Sequence, residues 1–327
     1  MIAYAPDDVA AMDAVLDRVA QLHTAPQVAQ RILDLTRDLY FPVSAVVECL
    51  ESDPALAARV LRIVNSAQYG LGTRVTSLRQ AVSYLGQRSL RLVAMTFCLV
   101  ETMTRGPARE LCSEYWKQAL SLAVVASQLA KLSRGAVAQD SAYSAGLLAD
   151  LGILVLAQVF GEAYIVQFRQ HRHGPDLVEA ERCELGFSHA ALGARLLERW
   201  EFPSALVLAT LYHHDYEETA SLLARLVYLA HLTTEVLWHS HSPNLGKLRK
   251  HLWEHFQLDT DGFVELVLHC ATEIEHQARL FEVELPEALD CQAIQERARQ
   301  QQMEAAVAVA VELDAVLNIL ASPESAP

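Results

Sequence analysis

Positive charge is scarce in this chain. Its 26 lysines and arginines face 40 aspartates and glutamates over 327 residues, a formal net charge of −14. Nucleic-acid binding rests largely on basic side chains against phosphates, so no nucleic-acid partner is expected. One local basic patch stands apart, at Lys247, Arg249 and Lys250. Cysteine is sparse too: the six are scattered with no C-x-x-C pair, which argues against a disulfide framework and for reduced, buried thiols. Apolar runs such as Leu122 to Ala126 and Ala305 to Val311 fall far short of the roughly 20 residues that span a bilayer. The first residues hold Asp7 and Asp8 and no basic region, so neither a secretory signal nor a membrane partner is expected, and the expected location is the cytoplasm. Alternating strand patterns are missing, as are internal repeats and low-complexity linkers. No nucleophile elbow, P-loop or dinucleotide-binding glycine pattern occurs.

Helical periodicity fills the space these absences leave, and the fold class is all-α. Asp53-Pro54 is a good start, with Asp as N-cap and Pro at the first helical position. Leu56, Val60, Leu61 and Val64 then line one face. Ser77 to Gln80 reads as a capping box, and Gly86 ends the helix it opens. Further helices are expected over about 89–103, 108–132, 140–160, 187–200 and 203–214. The chain continues as helices past Glu217, interrupted near Ser240 to Asn244 and at Pro286, with an Ala/Val-rich helix over 303–320 and frayed last residues.

The stretch Ser144-Ala145-Gly146-Leu147-Leu148-Ala149-Asp150-Leu151-Gly152 is the most telling. A His-Asp pair after such a small-Gly-Leu-Leu run supplies two adjacent metal ligands on a buried helix. Here Ala149 occupies the histidine position and only Asp150 remains. This stretch, the run Ser52 to Gly86, and the run from Glu184 through His189 and Trp200 to His213-His214 together resemble the HDOD family. That family groups bacterial regulatory domains related to the HD phosphohydrolases. The resemblance covers about Leu16 to Glu217, with a weaker continuation to Val236. It divides the chain into a lead-in (1–15), an HDOD domain with a degenerate HD-like half (16–217) and a C-terminal helical segment (218–327). The last packs on the core or forms a partner surface. Arg59, Arg62 and Asn65 are read as packing residues that satisfy neighbouring carbonyls and carboxylates.

Carried residue by residue, the family's metal pattern expects a ligand at Gln118, a weak amide donor. It expects the His-Asp pair at Ala149-Asp150 and an aspartate where His231 stands. Three core positions are altered, which disfavours the usual hydrolytic chemistry, so no catalytic residue is assigned. His189, His213 and His214 match additional histidines of HD-GYP and HDOD relatives. With Asp150 and His231 they form a potential residual site for iron, zinc, manganese or nickel. The blander reading, histidines hydrogen-bonded to backbone or to Asp150, is preferred over metal binding. His171 and His173 read as loop residues; His239, His241, His251 and His255 surround an inter-helix connection with no evident ligand spacing. The four tryptophans read as core anchors.

The resemblance therefore implies a non-catalytic signal-transduction protein that binds signalling proteins of unknown identity or a small ligand. Two-component and cyclic di-GMP networks are the associations it implies, though no receiver, GGDEF or EAL pattern is visible. The alternatives are a metal-dependent phosphohydrolase acting on a nucleotide or cyclic dinucleotide through a rewired HD site, and a metal or nucleotide sensor without turnover.

Overall fold

A computed structural model describes residues 6–22, 31, 35, 42–52, 54–65, 75–81, 84, 86, 106–171, 176–200, 202–216, 221–281, 283–285 and 289–321. Helix is the only regular structure among them. The N-terminal part has α1 (Pro6–Leu22), α2 (Val43–Glu51) and α3 (Pro54–Val64). A 3₁₀ turn (Gly106–Leu111) leads into α4 (Cys112–Leu132), followed by α5 (Gln139–Leu148), α6 (Leu151–Phe160), α7 (Glu162–His171) and α8 (Asp176–Leu185). Then come α9 (His189–Arg199), α10 (Ser204–Leu211), α11 (Leu222–Trp238), α12 (Leu245–Phe256), α13 (Thr260–Phe281) and α14 (Cys291–Ala321). The expected helix over 89–103, the Asp53 cap, Pro286 and His173 lie outside the described residues.

Helix α4 is the axis of the core. Small residues let neighbours approach it on several sides, and Ala119, Ala123, Ala126 and Ala130 are all buried. Helix α5 runs closest: a Cβ on Gly146 would come within 2.6 Å of the Ala123 backbone, so only glycine fits. Helices α11 and α13 pack on other faces of α4, and α11 also meets α5 and α10. Chain beyond residue 217 thus shares the core with chain before it. In the N-terminal part, Asn65 behaves as a packing residue. Its amide donates to the Leu61 and Val75 carbonyls at 2.8 Å each, and its oxygen accepts from the Val75 N–H at 2.7 Å. The Ser77–Gln80 box also forms: Ser77 Oγ accepts from Gln80 N–H at 3.2 Å, and Gln80 reaches back to the Thr76 N–H at 2.9 Å.

Several expectations need correction. The helix read as 140–160 breaks at Ala149-Asp150, where Asp150 takes φ −93° and ψ 14°. Close packing forces this redirection. A Cβ on Gly152 would lie 1.9 Å from the His189 carbonyl oxygen, so α6 must start directly against α9. The 22 residues Gln139–Phe160 are long and apolar enough to cross a membrane, more than the short runs suggested. Their most apolar window is 94% buried, as befits a core element. The 203–214 helix ends at Leu211, leaving His213 and His214 in a turn. His171 closes α7 rather than lying in a loop, and His251 and His255 sit on α12. Trp253 is 52% exposed and anchors no core. The Lys247–Lys250 patch is dispersed: Lys247 lies over the Tyr228 ring, Arg249 bonds the Ala298 carbonyl and Thr260, and Lys250 pairs with Glu254. Cys49 and Cys270 are buried as expected, but Cys183 is exposed.

Candidate metal centre

Four elements deliver the site. Asp150 sits at the break between α5 and α6, His189 opens α9, His213 and His214 follow α10, and His231 lies midway along α11. Asp150, His189 and His213 are buried, at 4%, 1% and 0% exposure. Asp150 Oδ1 lies 3.1 Å from His213 Nε2 and 3.6 Å from His189 Nε2. His189 Nε2 in turn lies 3.0 Å from His214 Nε2. One ligand atom from each of Asp150, His189, His213 and His214 falls within 4.8 Å of the other three.

The partners outside this cluster fix the tautomers. His189 Nδ1 lies 2.7 Å from Glu181 Oε2, and His213 Nδ1 lies 2.7 Å from the Thr210 carbonyl oxygen. A carboxylate and a carbonyl only accept, so both Nδ1 atoms carry the proton. In the neutral rings both Nε2 lone pairs then point inward, toward Asp150 Oδ1 and His214 Nε2. Lone pairs this close repel unless a proton or a cation lies between them. This is the donor arrangement that metal sites use, with an outer acceptor orienting each ligating imidazole. A His₃Asp set suits iron, zinc, manganese or nickel.

Without an ion, protons take that role. Burial opposes charge on His189, yet the Glu181 and Asp150 carboxylates outweigh it and raise its pKa to about 10. Burial likewise opposes ionisation of Asp150, but hydrogen bonds from His189 and His213 hold it well below the carboxylate range. His214 is pushed well below the ordinary histidine value by burial and by His213. His231 is lowered to about 4, again by burial first and His213 next. Protonation is therefore unequal across the cluster: the charged form is favoured at His189 and disfavoured at His214 and His231.

Of the residues singled out in the sequence, five converge. His231 is the outermost of them: its ring stands edge-on to His214 at 4.4 Å between centroids, and its Nδ1 has no hydrogen-bond partner. Gln118 is half-buried on α4 and borders the same cavity, whereas Ala149 is fully buried. Sequence reasoning missed Glu181, which is fully buried and binds both the backbone N–H and the ring of His189 at 2.7 Å. Tyr164 donates to its other oxygen at 2.5 Å. The available signal was an acid on the apolar face of α8, in register with Leu177 and Leu185.

A cavity of about 820 Å³ opens beside the cluster, bordered by Asp150, His189, His214, His231, Lys117 and Lys247. Lys117 lies 4.0 Å from the Trp238 ring centroid, and Tyr228 and Thr234, whose buried hydroxyls have no hydrogen-bond partner, also border the cavity.

The sequence model of the HDOD domain matches residues 22–216, more than half of the chain. The chain belongs to the HDOD family. An uncharacterized protein of Treponema pallidum (strain Nichols) is 27% identical over 235 residues, which cover 68% of this chain and 44% of that protein. This HDOD chain thus spans less than half of that curated relative. The crystal structure of an HDOD domain protein of unknown function from Geobacter sulfurreducens is similar at 26% identity and a TM-score of 0.64, covering 85% of this chain and 99% of that one. A protein of Marinobacter aquaeolei VT8 named as a candidate signal transduction protein is similar at 27% identity and a TM-score of 0.61, covering 84% and 65%.

Proposed function

We propose that this HDOD protein is a regulatory protein of bacterial signal transduction. In this reading it holds a divalent metal ion through Asp150, His189, His213 and His214 and does not turn over a substrate. The observation that carries the reading is the inward direction of the Nε2 atoms of His189 and His213, enforced by Glu181 and the Thr210 carbonyl. When bound, the ion would supply a Lewis-acidic, positively charged point at the edge of the cavity. The protein's own groups would do the rest: Glu181 and Thr210 orient the imidazoles, while Lys117 and Lys247 attract an anionic group. The absence of turnover is read from Gln118 and Ala149. An amide and a buried methyl stand where the family resemblance expects ligands, so these positions offer little to a second ion. Output then rests on recognition of a protein partner or a small ligand at this half of the molecule.

Metal analysis of protein purified without a polyhistidine tag tests the reading, alongside assays on nucleotides and cyclic dinucleotides. We expect stoichiometric metal, its loss in Asp150→Ala and His213→Ala, and no cleavage. Phosphodiester cleavage that disappears in those two variants would instead favour the hydrolase reading, which the cavity beside the centre makes the second choice.

A further inference from the structure

Helix α12 and the turn before α11 form a separate cluster that the buried centre does not use. His251 and His255 are one helical turn apart with rings stacked, 6.2 Å between centroids and 14° between planes, and Glu254 stands between them in sequence. One ligand atom from each of His251, Glu254 and His255 lies within 4.8 Å of the other two. Side chains at i and i+4 share one helix face, so both imidazoles project to the same side without distorting the backbone. Two further observations mark the cluster. His251 Nδ1 is buried with no hydrogen-bond partner, 3.6 Å from Glu254 Oε2. The Tyr216 hydroxyl meets His255 Nε2, and the Tyr216 ring lies 4.6 Å from that of His251.

We propose that His251, Glu254 and His255 form a second, surface site for a borderline divalent ion such as zinc, independent of the buried centre. Two imidazoles and a carboxylate are a donor set of the kind zinc accepts, and the exposed side of α12 leaves a position for water. Two contacts compete with the ion: Lys250, 3.9 Å from Glu254, and the Tyr216 hydroxyl at His255. Tyr216 lies two residues beyond His214. The proposed site therefore lies beside a contact that ties α12 to the turn carrying His213 and His214.

Zinc titration of the full chain against a chromophoric chelator, with total zinc measured after dialysis, tests this. The quantity read is the difference between wild type and the His251→Ala/His255→Ala variant, so it does not depend on whether the buried centre is loaded. We expect the variant to bind one zinc fewer while its circular dichroism is unchanged, and Glu254→Gln to bind that zinc more weakly. Should the double variant fail to fold, His255→Ala alone carries the test. Equal zinc binding by wild type and variant would overturn the proposal and leave the cluster as a packing contact.

Discussion

Glu181 shows how a single side chain off the metal-ligand list sets the chemistry of the site. Its carboxylate has no exposure, accepts from Tyr164, and binds both nitrogen positions that His189 offers it. Burial raises its pKa, but the charge and hydrogen bonds of His189 outweigh that and leave it lowered. Glu181→Gln keeps the shape and removes the charge. We expect that variant to weaken metal binding at the buried centre about 10- to 100-fold, the usual effect of losing an orienting partner. Metal titration of the folded variant checks it, and unchanged affinity would mean that Glu181 only fills space. Ala149 acts by what it lacks: its methyl is packed in the core at the break between α5 and α6 and reaches nothing it can ligate.

At the scale of elements, glycines and one ion pair set how the helices meet. Gly152 permits α6 and α9 to touch, which brings Asp150 and His189 together. On the far side of α9, Arg195 holds Asp13 of α1 through two hydrogen bonds of 3.0 and 2.9 Å. The Asp13 carboxyl lies below its usual value because the Arg195 hydrogen bond favours the charged form. A depressed folded pKa stabilises the protein above the unfolded carboxylate value near 3.9. That contribution is lost as pH falls through the folded value. Both side chains are about one-third exposed, so solvent screening holds the pair to about 0.5–1 kcal/mol. Denaturant melts of Asp13→Asn should therefore show a deficit of that size at pH 7 that closes as the pH drops below about 4. A deficit that persists unchanged at pH 3 would assign the loss to packing.

Among the described residues the helices gather around α4, and two of those packed on it, α11 and α13, lie beyond residue 217. Helix α11 buries Leu223, Leu226, Val227, Leu229, Ala230, Leu232, Val236 and Leu237. It also carries His231 to the edge of the Asp150–His189–His213–His214 cluster. Burying one large aliphatic side chain is worth about 1.5–3 kcal/mol, and the net stability of a domain is about 5–15 kcal/mol. Removing 218–327 exposes the matching faces of α4 and α10 as well. We expect a 1–217 fragment to lose cooperative unfolding by circular dichroism and to aggregate. A fragment that melts cooperatively would instead make the C-terminal helices an appended unit.

The sequence by itself determined the helical class, the HDOD kinship and the identity of the converging donors, because periodicity and motif spacing are local properties of the chain. Gly146 and Gly152 stand in that motif, but the close contacts they permit depend on where α4 and α9 lie. What only the tertiary structure decided is which atoms face one another. Glu181 is eight residues from His189, and Thr210 is three from His213, yet their roles depend on where α8 ends and where α10 unwinds. The H-x-x-E-H spacing is present in the sequence, but its donors share one face only because this stretch is helix and not an inter-helix connection. The metal reading changed for the same reason: residue types alone favoured ordinary hydrogen-bonded histidines. The direction of their lone pairs, set by groups from different helices, favours an ion.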